Sequence, residues 1–67
     1  MLITLKDARI KAGFSPENAA KELRTSVNTL SRYELGKTFP NSKMIKRIEK
    51  LYELNYDDII FLPNNDD

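Results

Sequence analysis

Asn28 and Arg32 stand four residues apart in the stretch Val27–Leu35, where Leu30 and Tyr33 are apolar and three apart. On a helix that spacing turns Leu30 and Tyr33 to one side. Positions 28 and 32, with 27, 31 and 35 beside them, are left on the other. A carboxamide and a guanidinium presented together are reading groups rather than reacting ones. Asn pairs through two hydrogen bonds with an adenine edge, Arg with guanine O6 and N7, and an adjoining Val meets a thymine methyl. Solvated polar positions are the competing reading of Asn28 and Arg32, and a first-turn Val27 could also pack beneath a neighbouring helix. Bond-making chemistry has little to work with. The chain has no His and no Cys, which removes the commonest general base, the thiolate nucleophile and most zinc or iron ligation. Ser-Lys or carboxylate chemistry would need a water-excluding pocket, for which 67 residues leave little room. No catalytic activity, metal, cofactor or small-molecule ligand is expected.

A second set of residues suits an anion. Ser15, Ser26, Ser31, Lys37, Asn41, Ser42 and Lys43 fall at expected helix starts, on the outer face of the same helix, or in the loop after it. Unpaired N–H groups and the positive dipole end favour phosphate there. Plain N-capping competes for the serines and Asn41, and both can hold together. Charge is polarised along the chain. All 11 Lys and Arg lie in residues 1–50 with five acids, a net of +6, while 51–67 hold five acids and no base. A phosphate-facing body and a mixed, solvated surface with late acids are both compatible with that division.

The elements that must hold these residues are short. Thr4 and Asp7 resemble a capping box opening a helix over Leu5–Ala12, with Gly13 as its left-handed stop. Ser15 caps a second helix with Pro16 at its first position and Ala19, Ala20 and Leu23 turned inward. After a break at Arg24-Thr25, Ser26 caps the helix Val27–Leu35, which Gly36 ends. Pro40 fixes the following loop. Asn41 or Ser42 then caps a fourth helix carrying Met44, Ile45, Ile48, Leu51 and Tyr52 at helical spacing. Asn55 and Asp58 predict a short fifth helix through Ile59 and Ile60. The expectation is one all-α, five-helix domain over residues 1–62, with a flexible tail at 63–67. Met1–Leu5 is too short for a signal segment and no apolar run suits a membrane span, so a cytoplasmic setting is expected. Phe39, Tyr56, Phe61 and Leu62 are left as large apolar residues near the surface of so small a domain, with Tyr56 assigned to the core.

Two helices joined by about three residues, with small Ala20 facing Leu30 and Tyr33, make a steep, close corner. Spacing alone fits either a DNA-binding unit or any structural αα-corner. The run Ser26-Val27-Asn28-Thr29-Leu30-Ser31-Arg32-Tyr33-Glu34-Leu35-Gly36-Lys37, followed by Pro40, resembles the helix-turn-helix family of phage repressors and Xre-type regulators. Leu5, Arg9 and Gly13 on one side and Ile45, Ile48, Leu54 and Asp57-Asp58-Ile59 on the other extend the resemblance over about residues 4–62. It implies a lambda-repressor-like domain whose base readers are Val27, Asn28 and Arg32. It also implies an internal ion pair between Arg9 and Glu34, where contact of Arg9 with phosphate is the rival reading. The implied function is a sequence-specific regulator, a repressor, that binds a palindromic operator in double-stranded DNA as a weak homodimer. A protein-interaction module on the same scaffold, antitoxin-like or polymerase-binding, is the alternative. Three positions depart from the family pattern. Arg24 stands where Gly is usual in the turn, Thr25 where an apolar residue is usual, and Pro16 where Gln often opens the second helix.

Overall fold

Four side-chain oxygens start the four α-helices of the computed structural model, which describes residues 2–61. Thr4 Oγ1 accepts from the Asp7 amide at 3.2 Å, and Ser15 Oγ from that of Asn18 at 3.1 Å. Ser26 Oγ accepts from Thr29 N at 3.1 Å, and Asn41 Oδ1 from Met44 N at 2.8 Å. Each bond satisfies a first-turn donor that the helix itself leaves orphaned, a contribution of about 1 kcal/mol. The helices are α1 (Leu5–Lys11), α2 (Pro16–Glu22), α3 (Val27–Leu35) and α4 (Ser42–Tyr52). Asn41 is therefore the cap of α4, and Ser42 its first helical residue.

All four helices also end alike. Gly13, Arg24, Gly36 and Glu53 adopt left-handed backbone, with φ of 85°, 60°, 78° and 55°. The next residue then returns its N–H to a carbonyl five positions back. These bonds are Phe14 to Arg9 at 3.0 Å, Thr25 to Ala20 at 2.9 Å, Lys37 to Arg32 at 2.9 Å and Leu54 to Glu49 at 3.0 Å. This pattern satisfies the last carbonyls and turns the chain sharply. Glycine takes the conformation freely, whereas Arg24 and Glu53 each hold it at a cost of about 1 kcal/mol.

Between these stops the inward stripes meet. Leu5, Ala8, Ala19, Ala20, Leu23, Leu30, Met44, Ile48, Tyr52 and Ile59 form the buried core, with Tyr33, Phe14 and Leu51 packed around it. The small side chains at 19 and 20 let α2 and α3 approach closely, which fixes the attitude of α3. Pro40 is fully buried and anchors the loop between α3 and α4. Among the described residues, no helix is long and apolar enough to cross a membrane.

The expected fifth helix does not form. Asn55 N–H does meet the Asp58 carboxylate, at 3.3 Å, but only a single 3₁₀ turn follows, Tyr56–Asp58. Ile59–Ile60 then forms strand β2, parallel to strand β1 (Ile3–Thr4), with Ile3 opposite Ile59 and Thr4 opposite Ile60. The architecture is four α-helices tied by a two-stranded clasp between the chain ends, rather than five helices. β-Branched residues on both sides favour the extended pairing. Ile59 is buried and Ile60 exposed, the alternation of a strand. Tyr56 is a second correction, since it is 46% exposed instead of joining the core. Its position in the tight turn directs the ring outward, 5.6 Å from Phe61. Leu62 and the expected tail at 63–67 lie outside the described residues.

Candidate nucleic-acid interface

Packing of Leu30 and Tyr33 decides which side of α3 faces outward. Leu30 is buried and Tyr33 half-buried, while Val27, Asn28, Ser31, Arg32 and Leu35 are exposed. Val27 is 41% exposed, so its side chain is available at the surface instead of sealed beneath a neighbouring helix. The structure thus brings Val27, Asn28 and Arg32 onto one outward face. Ser26, at the start of that face, uses its hydroxyl twice. It accepts from Thr29 N and donates to Thr29 Oγ1 at 2.9 Å. Ser15, Lys37, Asn41, Ser42 and Lys43 are all exposed. Ser15, Ser26 and Asn41 are engaged as caps, and the first residue of α2, Pro16, has no N–H to offer.

Beneath this face lies a charged pair. Arg9 Nε donates to Glu34 Oε2 at 2.8 Å, and Arg9 Nη1 donates to the Phe14 carbonyl at 3.0 Å. Arg9 is only 7% exposed, and one guanidinium ties α1, the α1–α2 turn and the end of α3 together. Its bonds point inward, away from any phosphate. Tyr52 packs over the same site, and its ring lies 6.2 Å from Phe14. Burial pushes the Tyr52 hydroxyl up to about 12, with the Glu34 charge adding to the shift and the Arg9 charge opposing it.

Sequence reading singled out Lys43 but passed over the basic residues that follow it on α4. Lys43, Lys46, Arg47 and Lys50 fall within about 100° of one another around α4, opposite buried Met44, Ile48 and Tyr52. Arg47 Nη1 donates to the Leu23 carbonyl at the end of α2, at 3.4 Å. Arg24, Arg47 and Lys50 line an open depression of about 480 Å³ with Glu22 and Leu51. The i, i+3/i+4, i+7 spacing of these bases is visible in the sequence. Their juxtaposition with Arg24 is not.

These are the features of a helix-turn-helix domain, and the model of the helix-turn-helix family matches residues 5–59. The chain belongs to that family. Among curated relatives, the HTH-type transcriptional regulator ImmR of Bacillus subtilis (strain 168) is 36% identical over 53 residues. The match covers 79% of this chain and 42% of the relative, so the chain spans less than half of that protein's length. No solved structure shows a significant match.

Proposed function

We propose that the chain is a sequence-specific transcriptional regulator, a repressor of the phage or Xre type, that binds a palindromic operator in double-stranded DNA as a homodimer. The outward set on α3 carries this reading: Val27, Asn28 and Arg32 share an exposed face while Leu30 and Tyr33 hold the helix from beneath. A helix presented so, at the end of a close α2–α3 corner, fits a major groove. Arg32 reads guanine, Asn28 adenine and Val27 a thymine methyl. Ser15, Ser26, Ser31, Lys37, Asn41, Ser42 and Lys43 hold the flanking phosphates and set the register. Arg9 and Glu34 act beneath the face as a positioning pair. The curated relative is itself named a transcriptional regulator.

Selection of bound sequences from a random duplex pool tests this. A defined base preference is expected. Arg32→Ala should cost about 1–3 kcal/mol and relax preference at one base position. Binding that shows no sequence preference, or an Arg32→Ala loss spread evenly over all sequences, would reject the assignment of Arg32. An affinity that barely responds to salt would favour a protein-interaction module instead.

A further inference from the structure

The solvent face of α4 is strongly basic. Lys43, Lys46 and Lys50 are exposed, and Arg47 is half-buried with its guanidinium against the end of α2. The one acid of α4, Glu49, lies at the edge of this face beside Lys46 and accepts from Tyr56 N–H at 2.7 Å, and exposed Glu53 follows at the C-cap. Among the described residues, Glu22 is the carboxylate lining the depression that Arg24 shares with Arg47 and Lys50. Resting on the DNA-binding reading above, we propose that this face, together with Arg24, is a second phosphate track that grips duplex backbone flanking the recognised bases.

Three points carry the assignment. The track begins at the α4 start, where Asn41, Ser42 and Lys43 are exposed and are proposed above as phosphate contacts of the half-site. From Lys43 to Lys50 it runs about 10 Å along the helix, long enough to meet more than one phosphate of a strand. Finally, Arg24 is held at φ 60°, where glycine would make the same turn without strain. The basic side chain that occupies this costly position lies beside Arg47 and Lys50. Duplex backbone is the occupant that matches a row in which the cations outnumber the neighbouring acids Glu22, Glu49 and Glu53.

The test uses the full chain and two lengths of the selected duplex, one trimmed to the recognised base pairs and one extended by about a helical turn on each side. Lys46→Gln/Lys50→Gln should bind the extended duplex roughly tenfold more weakly. Its log–log salt slope should be shallower by about 2, with base preference unchanged and binding to the trimmed duplex unaltered. Arg24→Gly should melt at a higher temperature yet lose about one unit of slope on the extended duplex, and Arg24→Lys should keep that slope. Wild-type slopes in Lys46→Gln/Lys50→Gln on the extended duplex overturn the track. Equal weakening on both lengths also overturns it, because the contacts would then lie inside the recognised site. If the wild-type chain selects no duplex, the DNA-binding reading itself falls, an outcome distinct from either.

Discussion

The Tyr52 hydroxyl is buried without a hydrogen-bond partner among the described residues, next to the charges of Glu34 and Arg9. An orphaned buried hydroxyl is a net cost, so Tyr52→Phe should raise stability by about 1 kcal/mol at neutral pH. The same residue sets an alkaline limit. Its pKa rises from 10.0 to about 12 on folding, so the unfolded chain releases this proton first. Its contribution is complete below pH 10 and declines as pH climbs towards 12, with a slope of up to about 1.4 kcal/mol per pH unit. Urea midpoints of the wild type and Tyr52→Phe, compared between pH 9 and 11, read this directly. The variant's advantage should widen with pH, and a constant gap would mean that the phenol is not shielded. Arg9 and Glu34 were expected together from family resemblance, whereas nothing in the local pattern placed Tyr52 over them. It reads simply as one more apolar position of α4.

At the scale of elements, starts and stops were unequally legible. Thr4, Ser15, Ser26 and Asn41 are capping residue types immediately before helical stripes, and Gly13 and Gly36 are the expected left-handed stops. Arg24 and Glu53 make the same turn with side chains that disfavour it. Propensity cannot reveal such a stop, because packing of the next element imposes it. Glu53→Gly should therefore stabilise the domain by about 1 kcal/mol, raising the melting temperature by several degrees. DNA affinity should be untouched, which makes it the control for Arg24→Gly. An unchanged or lower melting point would show that the Glu53 side chain contributes contacts worth more than the strain.

Over the whole molecule, Phe39, Tyr56 and Phe61 gather on one side, with Phe61 4.7 Å from Phe39 and 5.6 Å from Tyr56. Phe39 is 60% exposed and lies in the loop between α3 and α4. Among the described residues the patch exposes on the order of 250 Å² of apolar surface. Two such patches facing each other bury far less than the roughly 1,200 Å² of a stable interface. The homodimer proposed above should then be absent from free protein and form on DNA. Sedimentation should find a monomer in solution, and binding to a two-half-site duplex should be cooperative. Phe39→Ser should abolish that cooperativity while leaving affinity for a single half-site intact. A stable free dimer, or cooperativity that survives the substitution, would place the contact elsewhere.

Val27, Asn28 and Arg32 could be placed on the outward face of α3 from sequence because every determinant of that face is local. A cap at Ser26, two apolar residues three apart and a stop at Gly36 lie within a dozen residues of one another. The five-helix expectation failed at Ile59 and Ile60 for the opposite reason. Their pairing with Ile3 and Thr4 joins the two ends of the chain, and no window along the sequence contains both strands. The same holds for the basic depression. The spacing of Lys43, Lys46, Arg47 and Lys50 is written in α4, but only the packing of α4 against α2 sets it beside a strained Arg24. Sequence alone determined what each helix presents, since helical period and capping act over a few residues. Tertiary structure decided which presentations share a surface, since that depends on contacts between distant segments.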